Sequence, residues 1–285
     1  QNTPVKASKE LIEVLSLFDS WKTKTKGALN PAAEVVSQVW KNAEKNQVLP
    51  SQESIQLAIA TANQKHWSID YINGTVTHLT NTPLMLNTFV KSYIIDHATK
   101  KVIADTGIEG VVMNIGGDIL VAGYQNETVE IANPKASAIN DAPIDFIRIQ
   151  DKFIATSGNY KRGNLIGEKW FSHIVDPRTG LPAESSISAT VVANNATDAG
   201  ALATAFNVLT VAESVELAKQ FPDAAYLIIT KDGERVQSDN WKSIEIAKEN
   251  TAVTNNSIAK NDQWDPAYEL TVNLELAQIP GGSRR

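Results

Sequence analysis

The chain has 285 residues, of which 42% are hydrophobic and 20% charged, and its formal net charge is −6. These values are ordinary for one large or two medium globular domains, and they exclude a disordered or collagen-like chain. A mildly acidic chain has little attraction for a phosphate backbone, so broad nucleic-acid binding is not expected. The chain has no cysteine, which excludes disulfide scaffolds, cysteine nucleophiles and zinc–thiolate sites.

The first third of the chain is predicted to form three helices followed by a hairpin. Apolar residues recur at helical spacing from 8 to 18, Asn30-Pro31 is a typical helix start, and Ser51 is a typical N-cap. Asn73-Gly74 is a strong two-residue turn signal, so 67–79 is predicted to be a β-hairpin.

The remainder mixes strands and helices without a steady β-α-β alternation. Helices are predicted at 88–108, 199–209 and 214–220, and strands at 111–121 (broken by Gly116-Gly117), 144–155, 187–192 and 224–230. The predicted fold class is therefore α+β, with a mixed or antiparallel sheet core and helices packed around it in a single large domain.

The C-terminal residues differ in composition from the rest. The stretch 248–265 is rich in Asn, Ala, Lys and Thr, and alternation from 267 to 276 predicts a strand. We expect a main domain over 1–246, a linker over 247–266 and the beginning of a truncated second domain over 267–285. The alternative is a terminal strand that packs back on the main domain.

Membrane and export signals are absent from the sequence given. No apolar run reaches the ~18 residues that span a bilayer. The polar residues 1–9 do not resemble a signal peptide. Either the protein is cytosolic or an export signal lies outside these residues.

Three clusters of residues are candidates for chemistry. The first is Asn114-Ile115-Gly116-Gly117-Asp118, where paired glycines let the backbone approach a ligand closely. The amides of this segment are suited to an anion, with Asp118 accepting hydrogen bonds or orienting a partner. A tight turn or bulge is the alternative reading.

The second cluster combines Ser157-Gly158 with His173-Ile174 and the turn that follows. His173 precedes apolar residues, where an imidazole can be partly buried and still reach a cleft. Histidine is a natural base for a hydroxyl proton, because its pKa lies near neutrality. A structural histidine that donates to a backbone carbonyl is equally compatible with the pattern.

The third cluster is the small-residue segment 197–205. A hard cation prefers oxygen ligands, and a carboxylate and a hydroxyl four residues apart on one helix would supply two. Thr204 has Gly200 four residues before it, whereas the acidic residue is Asp198. The alternative is that Thr197 or Asp198 caps a packing helix.

In this order and spacing, the clusters resemble the ApbE-type flavin transferases, the FAD:protein FMN transferases. The matching segments are NIGGD at 114–118, ATSGNYKR at 155–162, SHIVDPRTGLPA at 172–183 and ALATA at 201–205, with weaker matches at 27–34 and 87–96. The resemblance covers about 27–241, and the N-terminal segment of the family is expected to be missing from this chain.

The resemblance implies a reaction, its partners and a location. Such enzymes bind FAD with Mg²⁺ on the pyrophosphate, attach FMN to a threonine hydroxyl of an acceptor flavoprotein subunit, and release AMP. By the same resemblance the protein is expected to be exported, to the periplasm or the outer face of the membrane. Members of the family are often lipoproteins, so the resemblance also implies a membrane anchor that lies outside this chain.

The resemblance also implies residue roles. His173 is the expected base that deprotonates the incoming threonine. The expected metal ligands are the Thr88 carbonyl, Thr204 and Asp198. The expected contacts to the flavin nucleotide are Asn30, Lys91, Asn114, Gly116, Gly117, Asp118, Ser157, Gly158, His173 and Ile174.

Three positions depart from the family pattern, and one of them is Met85, where the family often has Asp. The family's metal carboxylate stands four residues before the threonine, where this chain has Gly200, and its Lys-Gly pair is Lys91-Ser92 here. Asp198 can substitute only if the helix begins near Ala199. Otherwise the six-residue offset from Thr204 rotates Asp198 by about 240° around the helix.

Two other functions fit the same residues. One is a non-catalytic protein that binds FAD or another nucleotide, and Gly200 motivates it. The other is a metal-dependent FAD pyrophosphatase, in which water replaces the threonine. All three hypotheses require His173, Thr204 and the pair Gly116-Gly117 to surround one pocket.

Overall fold

A computed structural model describes residues 2–123, 126–136, 142–159 and 162–247. The predicted second-domain segment, and all of the predicted linker except residue 247, lie outside the described residues. So do Tyr160 and Lys161 of the ATSGNYKR segment.

The described residues form helices, short strands and one 3-10 turn (Asp239–Ser243). The α-helices are α1 (Lys9–Lys24), α2 (Glu34–Asn46), α3 (Gln52–Ala62), α4 (Val90–Thr106), α5 (Ala196–Val208) and α6 (Val211–Ala218). The strands are β1 (Val5–Lys6), β2 (Trp67–Asp70), β3 (Thr75–His78), β4 (Gly110–Ile115), β5 (Asp118–Gly123), β6 (Glu127–Ile131), β7 (Asp145–Ile149), β8 (Lys152–Gly158), β9 (Gly163–Ile166), β10 (Lys169–Ser172), β11 (Val175–Asp176), β12 (Leu181–Pro182), β13 (Ser186–Ala193), β14 (Ala225–Thr230) and β15 (Arg235–Gln237). Among these helices, none is long and apolar enough to cross a membrane.

The centre of the molecule is a six-stranded sheet in the order β15-β14-β13-β8-β5-β4. Every neighbouring pair in it is antiparallel. Smaller antiparallel pairings join β1 to β3, β2 to β3, β6 to β7, β9 to β10 and β11 to β12. The predicted α+β class with an antiparallel core is confirmed.

The alternation of side chains along the strands divides the core between the two faces of this sheet. Phe153 and Ala155 of β8 belong to a cluster with α1, α4 and α5, whereas Ile154 between them faces a second cluster with β6 and β7. Trp241 is fully buried in that second cluster. Successive side chains of a strand point to opposite faces, so each inner strand contributes to both clusters.

Helix α5 is buried on nearly every side, which accounts for its small residues. It lies on β8 and β13, and α4 packs against it and against β4 and β5. A helix surrounded by protein has to be apolar all round, and alanine and glycine allow the close approach. Thr204 and the half-buried Asp198 are among its few polar positions.

Several predicted elements are confirmed with adjusted ends. Ser8 caps α1 by accepting a hydrogen bond from the Leu11 amide, and Ser51 caps α3 in the same way from Ser54. The predicted hairpin exists, with a four-residue connection between Asp70 and Thr75. Helix α2 begins at Glu34, one turn after Asn30-Pro31.

Two sequence predictions are wrong. The predicted single strand at 144–155 is two strands, because Asp151 adopts a left-handed φ of 47° between β7 and β8. Helix α5 begins at Ala196, and its N-cap is Asn195 rather than Thr197 or Asp198. The side-chain oxygen of Asn195 accepts from the Asp198 amide at 3.0 Å, which closes the first turn.

Candidate functional site

Several of the predicted site residues lie at one end of the central sheet. Ile119 pairs with Ile154, which places the turn between β4 and β5 at the end where β8 finishes with Gly158. Gly158 in turn pairs with Ser188, near the start of β13. The turn at 116–117 and the segment 157–158 therefore lie at the same sheet end.

The first turn of α4 is connected to this end by two side chains. Lys91 Nζ lies 2.9 Å from Asp118 Oδ1 and donates to the Gly116 carbonyl at 3.0 Å. Ser92 Oγ donates to Asp118 Oδ2 at 2.8 Å. Both oxygens of Asp118 are therefore engaged by neighbouring positions of one helix.

Asp118 is a buried carboxyl beside a half-exposed ammonium. Its side chain is 6% exposed, whereas that of Lys91 is 41% exposed. Burial raises the pKa of Asp118, and the hydrogen bonds and charge of Lys91 together with Ser92 oppose that rise. An ammonium has three N–H donors, and these contacts use two of them, so one remains for a ligand.

The glycine pair forms the tip of this end. Gly116 and Gly117 have φ values of +55° and +84°, which side chains rarely tolerate. A Cβ added at Gly117 would meet nothing within 4 Å, so this backbone borders open space. Asn114 Oδ1 accepts from the Gly117 amide at 3.3 Å, which makes Asn114 a brace of the turn.

His173 has a defined tautomer. Its Nδ1 lies 3.0 Å from the Arg162 carbonyl oxygen, and a carbonyl only accepts. Nδ1 must therefore carry the proton, which leaves the lone pair on Nε2. The structural role and the catalytic role are compatible, because the carbonyl bond orients the ring that presents Nε2.

The surroundings of His173 favour its neutral form. Burial lowers the pKa of His173 below its ordinary value near 6.5, and the charges of Arg162 and Lys41 act in the same direction. The bond to the Arg162 carbonyl opposes this shift. Near pH 7 the imidazole is unprotonated at Nε2 and can accept a proton.

Two asparagines hold the strand ends around the site in place. Asn159 is 3% exposed and donates to the carbonyls of Ala183 and Ser186 at 3.2 and 2.9 Å. Ala183 donates through its amide to the Ile174 carbonyl at 2.8 Å. The end of β8 is thereby linked to the residue that follows His173, which brings this histidine to the same sheet end.

Ser157 is held from the helix layer. Asn207 of α5 donates to the Ser157 carbonyl at 2.6 Å. Gly158 follows as the last residue of β8. These contacts explain why the segment 157–159 has a fixed position relative to α5.

An ionic network supports the loop after His173. Arg178 donates to both oxygens of Asp176 and to both oxygens of Glu213. Glu213 also completes the capping box of α6 with Thr210. The pKa of Glu213 falls to about 2, chiefly because of Arg178. The loop 176–180 is thus tied to the start of α6.

Two of the three predicted metal ligands lie together. Thr204 Oγ1 donates to the Thr88 carbonyl at 3.2 Å and to the Gly200 carbonyl at 3.0 Å. Thr88 is two residues before the start of α4, so this contact is part of the α4–α5 crossing.

The structure does not bring Asp198 to this pair. Helix α5 is already continuous at Ala196, so the condition for Asp198 to turn inward is not met. Asp198 instead lines a separate cavity of about 200 Å³ with Asn195, Gln220 and Phe221. Six residues along a helix rotate a side chain by about 240°, which accounts for the separation from Thr204.

Gly200, which stands where the family pattern has a carboxylate, is closed off by a neighbouring helix. A Cβ at Gly200 would lie 2.5 Å from Ser92 Oγ, 3.2 Å from Ser92 Cβ and 3.3 Å from Phe89 Cβ. Ser92 is 1% exposed. The serine therefore occupies the space that a side chain at 200 would need.

The donor set at the crossing does not fit Mg²⁺. Protein sites for Mg²⁺ use one or two carboxylates together with substrate phosphates. Thr88 and Thr204 supply a carbonyl and a hydroxyl, and in the described ranges neither threonine hydrogen-bonds to a carboxylate. No cluster of three or more acidic or histidine residues suited to a metal occurs in the described part of the chain.

Asn30 is used within the protein. Its Nδ2 donates to the Ala62 carbonyl and its Oδ1 accepts from the Ala32 amide, both at 2.9 Å. It is 6% exposed, so its contacts serve the loop between α1 and α2. The predicted nucleotide contact at Asn30 stays a prediction.

Sequence reasoning missed Ser92, Asn159, Asn207 and the Arg178–Glu213 pair as supports of the site. Their partners are 24 to 50 residues away along the chain. The available signal was the position of polar residues in otherwise apolar segments, as with Asn207 in α5.

The fold is α+β, and a glycine turn, a lysine and a histidine lie at one end of its central sheet. The family model for the ApbE family matches residues 1–228. The chain therefore belongs to the ApbE family.

Relatives with established names agree with this membership. The FAD:protein FMN transferase of Escherichia coli strain K12 is 26% identical over 259 residues, which are 87% of this chain and 73% of that protein. The protein of the same name from Chlamydia muridarum is 27% identical over 213 residues, covering 73% and 65% of the two chains.

Solved structures have the same fold. The ApbE protein from Thermotoga maritima superposes with a TM-score of 0.76 at 26% identity, covering 86% of this chain and 81% of the other. The flavin transferase ApbE from Vibrio cholerae superposes with a TM-score of 0.68 at 23% identity, covering 86% and 79%, and supports the fold alone.

Proposed function

We propose that this protein transfers FMN from FAD to a threonine hydroxyl of an acceptor flavoprotein subunit and releases AMP. The family and the names of the relatives support flavin transfer. The observation that carries the proposal is the tautomer of His173, which presents an unprotonated Nε2 at the sheet end where the Lys91 ammonium lies.

The reaction is a phosphoryl transfer. The threonine oxygen forms a bond to the phosphorus of the FMN half of FAD, and the bond from that phosphorus to the bridging oxygen breaks. AMP leaves with the bridging oxygen. The threonine proton passes to His173 Nε2, and then to solvent or to the leaving phosphate.

Such transfers depend on positioning and charge neutralisation more than on covalent catalysis. In this site the Lys91 ammonium supplies positive charge next to the exposed backbone of Gly116 and Gly117. Asp118 fixes the ammonium, and Ser92 fixes Asp118. His173 is held by the main chain, so its ring needs no reorientation before it accepts the proton.

The Mg²⁺ dependence implied by the family resemblance is not part of this proposal. The two neutral oxygens at Thr88 and Thr204 are a poor set for that ion, as described above. No step of the proposed reaction is therefore derived through a metal.

Export remains part of the proposal and rests on the family resemblance. The acceptor is proposed to be a flavoprotein subunit that meets the protein on the outer side of the cell membrane. Localisation of the full-length protein by cell fractionation tests this part by itself.

The reaction is tested with the full chain, FAD and candidate acceptor subunits from the same organism. Mass spectrometry of the acceptor is expected to show one FMN on a threonine, with an equal amount of AMP in solution. The His173→Gln variant is expected to bind FAD but to release AMP about 10²–10⁴-fold more slowly. Free FMN instead of an adduct would indicate a pyrophosphatase, and FAD binding without AMP would indicate a binding protein.

A further inference from the structure

Where α4 and α5 cross, the Ser92 side chain fills the space that a side chain at Gly200 would otherwise occupy. Position 200 has no room for a side chain, because Ser92 Oγ lies 2.5 Å from the place that a Cβ would take. Ser92 uses that room to reach Asp118 Oδ2 at 2.8 Å. The space next to Thr204 is thereby occupied by a neutral hydroxyl.

The carboxyl that Ser92 contacts, Asp118, is already paired with a lysine. Asp118 Oδ1 lies 2.9 Å from Lys91 Nζ, and its side chain is 6% exposed. A divalent cation that approached this carboxyl would meet the ammonium at short range, and like charges repel strongly in a partly buried site. The Lys91 ammonium, by contrast, is 41% exposed and borders the open backbone of the glycine turn.

We propose that this protein binds the phosphates of its dinucleotide without a divalent cation, and that the Lys91 ammonium held by Asp118 supplies the positive charge. The inference rests on the proposed function, because it concerns how FAD is held in that site. The inference differs from the family resemblance, which implies that Mg²⁺ is bound to the pyrophosphate. Ser92 is a positioning residue in this arrangement, since it acts through Asp118.

The first test measures FAD binding by the full-length wild-type protein with and without divalent cations. Flavin fluorescence gives the dissociation constant in EDTA and in excess Mg²⁺, and the two values are expected to agree within about twofold. Lys91→Met is expected to weaken FAD binding by about tenfold or more, because a charge-assisted hydrogen bond to phosphate is lost. Lys91→Arg is expected to retain most of the affinity.

A matched control lies on the same helix. Lys101 forms an exposed ion pair with Asp105, and Lys101→Met removes an equal charge away from the glycine turn. This variant is expected to bind FAD as the wild type does. Equal losses in Lys91→Met and Lys101→Met would mean that Lys91 acts only through net charge, and would overturn its assigned role.

The second test builds a carboxylate site by removing the side chain at 92 and adding an acidic side chain at 200. Ser92→Gly together with Gly200→Asp places a carboxylate four residues before Thr204, in the room that Ser92 has left. The double variant is expected to bind Mn²⁺ in titrations followed by electron paramagnetic resonance, and to bind FAD about tenfold more tightly with Mg²⁺ than in EDTA. The wild type and the single Ser92→Gly variant are expected to show neither effect, and thermal unfolding confirms that each variant is folded.

The outcomes separate this inference from the proposed function. Loss of FAD binding by the wild type in EDTA, with recovery in Mg²⁺, overturns the inference and leaves the flavin transfer intact. Metal-free FAD binding without any transfer to an acceptor supports the inference and contradicts the transfer. A wild type that binds no FAD under either condition overturns both.

Discussion

At the scale of single residues, the bond from His173 Nδ1 to a main-chain carbonyl decides the chemistry of the imidazole. A side-chain partner such as a carboxylate would raise the pKa of the ring and stabilise its protonated form. The Arg162 carbonyl fixes the orientation of the ring with less effect on its charge, and burial lowers the pKa of His173. The ring is therefore suited to act as a base near neutral pH.

The pH dependence of AMP release tests this assignment. The rate of a single turnover is expected to fall as the pH drops through the pKa of His173, with a midpoint below 6.5, because protonation of Nε2 removes the base. Above that midpoint the rate is expected not to change further with the protonation of His173. The profile is measured by rapid quench between acidic and neutral pH.

The control for this profile is His97, which also has its Nδ1 at a carbonyl, that of Tyr93, at 2.9 Å. His97→Gln is expected to leave the midpoint unchanged, whereas His173→Gln is expected to abolish it. A midpoint above 6.5 in the wild type would contradict the assignment of the neutral ring.

Glu213 gives a second prediction at this scale. Its two bonds to Arg178 lower its pKa from 4.5 to about 2. Stability from Glu213 is present above its unfolded pKa near 4.5 and is lost as the pH falls towards 2. Glu213→Gln is expected to lower the free energy of unfolding by about 1–2 kcal/mol at pH 7, a modest value because the side chain is partly exposed.

Urea unfolding at pH 7 and at pH 3 measures this effect. The difference between wild type and variant is expected to shrink at the lower pH. Glu216→Gln is the matched control on the same helix, because Glu216 forms an exposed ion pair with Lys219. An equal loss in both variants, independent of pH, would show that the network around Arg178 does not contribute.

At the scale of elements, the contact between Ser92 and Gly200 limits how closely α4 and α5 approach each other. Alanine is a better helix former than glycine by about 1 kcal/mol, so Gly200→Ala would stabilise an exposed helix. Here the added Cβ would lie 2.5 Å from Ser92 Oγ. Gly200→Ala is therefore expected to lower the free energy of unfolding by about 1–3 kcal/mol.

A double-mutant cycle measures this contact. In the Ser92→Gly background the closest obstruction is gone and only the Phe89 Cβ at 3.3 Å remains, so Gly200→Ala is expected to be neutral or stabilising. The coupling energy from urea unfolding of the four proteins is the measured quantity. Additive effects of the two substitutions would show that the helices separate freely at this crossing.

The elements also show what sequence patterns could predict. Ser51 was predicted as a helix start because capping is a local interaction within four residues. The run 144–155 was assigned to one strand because its apolar pattern continues through the left-handed residue Asp151. The cap at Asn195 was missed because α5 continues with small residues whose burial depends on distant strands.

At the scale of the whole molecule, the site is made by segments that the antiparallel register brings to one sheet end. The start of α4, the turn at 116–117, the end of β8 and residues 172–174 meet there. The motifs in these segments are visible in the sequence, and the resemblance to the family was based on them. The contacts that join them could not, since a contact such as Asn159 to Ser186 depends on the assembled fold.

Hydrogen exchange tests this convergence. FAD is expected to slow amide exchange in the segments 88–92, 115–118, 157–159 and 172–174 together, because one ligand contacts them all. The opposite sheet end, at 149–152 and 193–195, is the internal control and is expected to exchange at an unchanged rate. Protection of only one segment would contradict a shared site.

The fit of Ser92 against Gly200 imposes an order on any mutational path between this chain and a form with a carboxylate at 200. A change at 200 first would drive the new Cβ into the serine, whereas a change of Ser92 to glycine first leaves unfilled space and removes the serine donor from Asp118 Oδ2. The accessible route passes through a protein with glycine at both positions. A metal site would thus be gained by losing a hydroxyl before gaining an acid.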